Sequence, residues 1–370
     1  MNIIKQIWII SLSAIIASCV SKNNPEQVEK NKGTTFYIGG YTAESKPDIY
    51  RAELMENGEV SNLIPLAFSG NPSYLAVNND QSLLYTANEY FDKDGVISVY
   101  KLENDTLLLS DQISSGGLYP CYIALVDEST GFVANYGGSI SKFTANGKGK
   151  LTDPAITIQH SGSSIVPERQ TGPHPHTVAI HPNKKWGLVT DLGTDEIVVY
   201  DLADWREINR FKTEPGAGPR HIAFRNEQQA YVTNELNSTI AVLSISPDGK
   251  LEQTQIISTL PTGFEGVNYP ADIHIHPSGK FLYASNRGHD SIVLFNIEND
   301  GSLKFVETYR GQISWPRNFA ISPDGNFLLI ANQKGNSINI LKIVEGSGKL
   351  SDIHSNLNIP TPTHILFPNH

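Results

Sequence analysis

The stretch YPADIHIHPSGKFLYASNRGHDSIVLFNIENDGSLKFVETY, residues 269–309, decides the fold. It reads as four short strands, ADIHIHP, KFLYASN, DSIVLFNI and LKFVETY. Each alternates polar and apolar side chains or forms a short apolar run, and Pro-Ser-Gly and Asn-Asp-Gly turns separate them. Outward from this stretch, its opening returns as NPSYLAV at Pro72, YPCYIAL at Pro120, HPHTVAI at Pro175, GPRHIAF at Pro219, WPRNFAI at Pro316 and TPTHILF at Pro362. Successive prolines lie 48, 55, 44, 51, 46 and 46 residues apart. Several short strands in a period of roughly 40–50 residues are the signature of β-propeller blades.

The two ends of the chain complete each other. TTFYIGGYT (34–42), DIYRAEL and VSNLIPLAF match the second, third and fourth strands of a blade without a first. PTHILF, near the C-terminus, is a first strand with nothing after it. The prediction is an all-β, seven-bladed propeller of four-stranded blades, the last blade closed by N- and C-terminal strands, which leaves no free sheet edge inside the ring. Length alone would suggest two or three domains for 370 residues, but the repeat argues for one, spanning 34–370. Hydrophobic content of 39% and charged content of 18% suit a folded chain. A net charge of −10 argues against a nucleic-acid partner.

The N-terminus reads as a targeting segment. Lys5 precedes an apolar run from Ile7 to Ala17, ending in Ile16-Ala17-Ser18-Cys19. This resembles a bacterial lipobox, in which the chain is cut before the cysteine and its thiol is acylated. The expectation is a signal peptide over 1–18, lipidation of Cys19 and a polar tether over 19–33. The protein would be exported and lipid-anchored to the outer membrane, on its periplasmic face because no acidic run follows Cys19. Cys121 then has no partner, and no disulfide is expected.

Register locates the chemistry. Propeller strands run antiparallel, so the start of a first strand, the end of a second strand and the loops between blades meet at one mouth. The residues after the prolines are Ser73, Cys121, His176, Arg220, Ala271, Arg317 and Thr363. Those after the Asn or Asp closing the second strands include Glu89, Tyr136, Glu235, Arg287 and Gln333, with Tyr41 from the shared blade. The longest inter-blade loop, PERQTGPHPH, adds Arg169, Gln170 and His174. With His221 these form a cationic mouth holding a few carboxylates, which suits a small anionic ligand. Bland readings stand beside this one. An arginine at a strand end commonly makes a structural ion pair, and Glu89 has arginines nearby to pair with. His174-x-His176 has metal-ligand spacing, but no third ligand of clear spacing accompanies it, so no metal is expected. His181 and His276 precede prolines in turns and are expected in solvent. The asparagines closing second strands are expected to bond turn backbone. No serine nucleophile elbow, phosphate-cradling glycine loop or paired zinc cysteines appears.

RQTGPHPHTVAIHP (169–182), DLGTDEIVVYDL (191–202), GPRHIAF (218–224), YVTNELNSTI (231–240), FLYASNRGHDSI (281–292) and PRNFAISPDGNFLLIANQ (316–333) carry a family resemblance. The chain resembles the seven-bladed propeller lactonases, the group of bacterial 6-phosphogluconolactonase and fungal carboxy-muconate lactonising enzyme. The resemblance implies hydrolysis of a sugar δ-lactone, 6-phosphogluconolactone or a related aldonolactone, to the free acid without metal or other cofactor. It implies a catalytic set of Glu235, His176, Arg220 and Arg287. Substrate contacts are expected from Arg169, Gln170, His174, His221, Arg317, Glu89 and Gln333. Glu235 or His176 would take the water proton, Arg220 and Arg287 would stabilise the oxyanion, and Arg169 or Arg317 would hold a distal anionic group. Tyr122 departs from the family, whose members often carry His there. The expected partner is a small anionic sugar lactone, and the expected state is a monomer. Export sits awkwardly with a phosphorylated cytoplasmic substrate, so a second reading stays open: a non-catalytic, membrane-tethered propeller that binds a small anion or a protein.

Overall fold

The computed structural model describes residues 33–42, 46–103 and 106–368, with the side chains of 153–155 excepted. The expected signal peptide, Cys19 and all but the last residue of the expected tether lie outside the described residues. Among the described residues, twenty-eight strands, numbered β1 to β28 in chain order, form seven four-stranded antiparallel sheets. The closing sheet has the order β28 (Pro362–Leu366), β1 (Thr34–Gly40), β2 (Ile49–Leu54), β3 (Val60–Ala67), as the unmatched ends of the sequence predicted.

Every cassette proline lies at the head of an innermost strand. These strands are β4 (Pro72–Val77), β8 (Pro120–Leu125), β12 (Pro175–Ile180), β16 (Pro219–Asn226), β20 (Tyr269–Ile275), β24 (Pro316–Ile321) and β28. The strand that follows each is almost wholly buried; LLYTAN at 83–88 and FLLIAN at 327–332 are buried at every position. A strand sandwiched between two neighbouring blades must be apolar on both faces, which is why these segments read as continuous apolar runs.

The core is therefore distributed around the ring. Seven apolar clusters fill the seven blade interfaces. The closing blade shows how strand alternation serves this. Phe36 and Ile38 pack toward the preceding blade with Leu329 and Ile340, while Tyr37 packs toward the next with Leu75 and Leu84.

Two expectations about turns divide. The Asn side chains closing second strands do bond backbone: Asn88 donates to Ser69 O and Gly70 O, Asn135 to Ser115 O and Asn286 to Thr259 O. His181 and His276 are not solvent residues. His181 is 1% exposed, and its Nε2 lies 3.0 Å from Glu227 O of the next blade. His276 Nε2 lies 2.8 Å from Gly325 O, again one blade on. These turns pack against the adjacent blade, so both imidazoles tie blades together.

Candidate functional site at the mouth of the ring

The three sets of residues that register assigned to one end do meet there. In six blades the residue after the second strand donates its backbone N–H to the carbonyl just before the cassette proline of the same blade, Leu192 N to His174 O among them. Glu89 N donates to Asn71 O, Tyr136 N to Tyr119 O, Glu235 N to Gly218 O, Gln333 N to Trp315 O and Tyr41 N to Thr361 O. Arg287 reaches the same level through Nε, 3.1 Å from Tyr269 O.

One feature of the first strands was invisible in the sequence. In all seven blades the ladder slips by one residue just after the proline, so each innermost strand carries a β-bulge at its head. A bulge re-aims the side chain it carries. Here it lifts the residue after the proline out of strict alternation and toward the next blade, where Arg220 Nη1 donates to Ala271 O. The long loop before Pro175 packs directly against residue 193, which must therefore be glycine. A Cβ there would lie 1.9 Å from Gly172 O.

Glu235 is the centre of the cluster. Its Oε1 receives Arg169 Nη2 at 2.5 Å and its Oε2 receives Arg287 Nη2 at 2.5 Å. Arg220 Nε approaches Oε2 at 2.9 Å off the hydrogen-bond direction, an electrostatic contact that leaves this N–H without a bonded partner. Burial opposes ionisation of Glu235, but Arg287, Arg220 and Arg169 outweigh it and hold the carboxyl down to about 2. Burial, reinforced by Arg287, lowers Arg220 to about 9. Glu235 is thus a permanent anion, too weakly basic to take a proton from water near neutrality, and it fixes three guanidinium groups in one place.

His176 lies beside this cluster, 5% exposed, with Nδ1 buried and unpartnered. Burial, then Arg220, His221, Arg317 and Arg287, hold its pKa well below the usual imidazole range. It is therefore neutral at pH 7, with a lone pair available. Its ring meets that of His221 edge-on at 5.2 Å and that of Tyr136 at 5.8 Å.

A second ion cluster completes the mouth. The Tyr41 hydroxyl donates to Glu89, Arg317 lies 3.7 Å from Glu89, and its guanidinium sits 5.6 Å from the Tyr41 ring centre. On the rim, Trp315 adopts a left-handed backbone (φ 57) and has Lys334 Nζ 3.2 Å from its ring centre. The same backbone recurs just before the cassette proline at Asn71, Tyr119 and Thr361, so it is a feature of the blade repeat.

Not every expected residue joins in. His174 stacks on Tyr136 at 4.3 Å, with Nδ1 2.7 Å from Tyr136 O, so the His-x-His pair is divided between two environments. Gln170 is fully buried. Its amide serves Leu192 O, Asp195 and Val166 N, which makes it a brace of the loop that carries Arg169. Gln333 is half-buried at the mouth. His221 lies one step deeper and bonds Asp272. Asp272 itself was missed. It is the second residue after Pro270, a position at which the sequence reading took only His221; polar residues there in five successive blades (Thr177, His221, Asp272, Asn318 and His364) were the available signal.

The chain resembles known proteins over nearly its whole described length. It is 33% identical to the 6-phosphogluconolactonase of Bacillus subtilis over 343 residues, 90% of this chain and 97% of that one. A crystal structure of a putative 6-phosphogluconolactonase from Bacteroides fragilis superposes with a TM-score of 0.82 at 33% identity, covering 91% of this chain and 98% of the other. The periplasmic gluconolactonase of Pseudomonas aeruginosa superposes with a TM-score of 0.85 at 29% identity, covering 90% and 99%. With residues 35–367 also matching the family model described as lactonase, 7-bladed beta-propeller, the chain belongs to the seven-bladed β-propeller lactonase family.

Proposed function

We propose that this protein hydrolyses a sugar δ-lactone to the free acid, as a metal-independent carboxylic ester hydrolase, at the mouth that holds Glu235. The observation that carries this reading is one buried, ionised carboxylate gathering three guanidinium groups beside a neutral, unpartnered imidazole. Lactone hydrolysis needs a base for the attacking water and fixed positive charge where the carbonyl oxygen becomes an oxyanion. His176 is the base in this reading. Arg220 and Arg287 face the oxyanion, and Glu235 holds them without exchanging a proton. Arg169, the most open of the four mouth arginines at 31% side-chain exposure, suits a distal anionic group of the substrate. A gluconolactone or a 6-phosphogluconolactone fits this arrangement, in line with the names of the relatives. Neutral His176 and the open Arg169 favour catalysis over a purely binding module.

The outer organisation completes the proposal: a cleaved signal peptide over 1–18, lipidated Cys19, a tether over 19–33 and a monomeric propeller domain over 34–370. Outer-membrane attachment on the periplasmic side accords with the periplasmic relative from P. aeruginosa. The test is an assay of the purified domain against glucono-, galactono- and 6-phosphoglucono-lactones, corrected for spontaneous opening. His176→Ala should lower kcat at least about a hundredfold. A wild-type rate in that variant, or no turnover of any lactone by the wild type, would overturn the reading.

A further inference from the structure

Beneath the mouth lies a second buried polar cluster. Asp272, 2% exposed, sits at its centre. Its Oδ1 receives Ile273 N at 3.0 Å and faces His221 Nδ1 at 2.8 Å. Its Oδ2 receives the Asn318 amide at 2.5 Å and Phe319 N at 3.3 Å, and faces His274 Nε2 at 3.0 Å. An ionised carboxylate only accepts hydrogen bonds, and the backbone and amide partners here can only donate. The network therefore assigns the proton of His221 to Nδ1, which leaves Nε2 as a bare acceptor.

That Nε2 is buried and has no partner, and Thr177 Oγ1 is in the same condition at 1% exposure. Both residues line one cavity of about 230 Å³, together with Tyr122, Tyr74 and the first-strand residues Ala223 and Ile273. Thr177 follows His176 on β12, and the His176 ring, whose Nδ1 is also unpartnered, stands 5.2 Å from that of His221. A roomy cavity with several unmet polar groups is where a protein holds ordered water.

We propose that His221 Nε2 and Thr177 Oγ1 hold the water that attacks the lactone, presenting it to His176, and that Asp272 is the positioning residue that fixes the His221 tautomer. This rests on the hydrolytic reading of the mouth. The atoms balance. The water donates one proton to His221 Nε2 and one to His176, accepts the Thr177 hydroxyl proton on one lone pair, and keeps the other for the carbonyl carbon. As the O–C bond forms, His176 takes a proton. As the ring C–O bond breaks, that proton passes to the leaving oxygen, giving the hydroxy acid. Burial and Arg220 press the His221 imidazole down to about 4, so it too is neutral at pH 7.

Thr177→Val is the decisive variant, because a hydroxyl that serves nothing is dispensable. The proposal expects kcat to fall about tenfold or more with KM within about twofold, and Thr177→Ser to restore most of the rate. Unchanged kcat in Thr177→Val, with equal or higher thermal stability, overturns it. Imidazole nitrogen NMR on the full chain gives a readout independent of turnover. The wild type should show His221 protonated at Nδ1, with the unprotonated Nε2 resonance shifted by accepting a hydrogen bond from water, and Asp272→Asn should shift that tautomer. An Nε2-protonated His221 in the wild type also overturns the proposal. If the wild type opens no lactone, the hydrolytic reading fails on the assay alone, while the NMR still decides whether the water site exists.

Discussion

Replacing Glu235 by Gln removes one charge and strands three. Arg169, Arg220 and Arg287 all converge on this carboxylate, and the last two are buried beside each other. Removing one partner of a buried ion pair costs about 3–5 kcal/mol, because the remaining charge is left without compensation. The described domain has roughly 340 residues, for which the entropy of unfolding is about 0.7 kcal/mol per kelvin. The expected fall in Tm is therefore about 4–7 °C by calorimetry or circular dichroism. The same perturbation turns the cluster into an anion site. Sulfate should now bind the uncompensated guanidinium groups from the open Arg169 side and stabilise the variant by about 2.7 kcal/mol at a hundredfold excess over its Kd, or about 4 °C. The wild type, with its arginines already facing a carboxylate, should gain far less. Arg287→Met combined with Glu235→Gln should recover part of the lost stability, since it removes one stranded charge. A variant that unfolds within about 1 °C of the wild type and shows no selective response to sulfate would refute the claim that Glu235 anchors the arginines.

Other expectations follow from the same charges. Glu235 stays ionised to about pH 2, so an acid limb in kcat/KM should come from protonation of the neutral histidines, His176 well below the usual imidazole range and His221 at about 4; a limb above pH 6 would be inconsistent with burial of His176 and His221. His221 binds a proton below about pH 6.5 in the unfolded chain but only below about 4 in the fold, so its contribution to stability, about 3 kcal/mol, is complete above pH 6.5 and declines as pH falls toward 4, which denaturant titrations across that window would measure. Prolonged treatment with EDTA should leave lactone hydrolysis unchanged, and a loss restored by added metal would contradict the metal-independent reading. In cells, Cys19→Ala should move the protein from the membrane fraction to the soluble one and abolish fatty-acid labelling.

The sequence made the ring legible because a blade is a local object. Each strand pairs with its chain neighbour, so the proline cassettes, the alternating strands and the unmatched ends state the architecture without long-range information. Register then carried part of the site. Once Arg220 heads one first strand and Glu235 and Arg287 end second strands, antiparallel pairing brings them to the same end. Other readings failed where the deciding contact comes from a neighbouring blade. His181 looked like a solvent residue because it precedes a proline in a turn, yet Glu227 of the next blade covers it. Gln170 was read with Arg169 because they are adjacent, but the loop turns between them and commits its amide to Leu192, Asp195 and Val166.

What the sequence determined by itself was the number of blades, the closure and which strand ends share the mouth, because strand periodicity and chain order suffice for these. The tertiary structure alone decided how those residues divide their work. The sevenfold bulge at the heads of the inner strands aims the side chains, and no composition signal marks it. The convergence of three arginines on Glu235 follows from the curvature of the ring across three blades, and it changes that residue from a candidate base into a fixed anion. The link from His221 to Asp272 joins adjacent blades across 51 residues, a contact made by the side-by-side packing of their innermost strands.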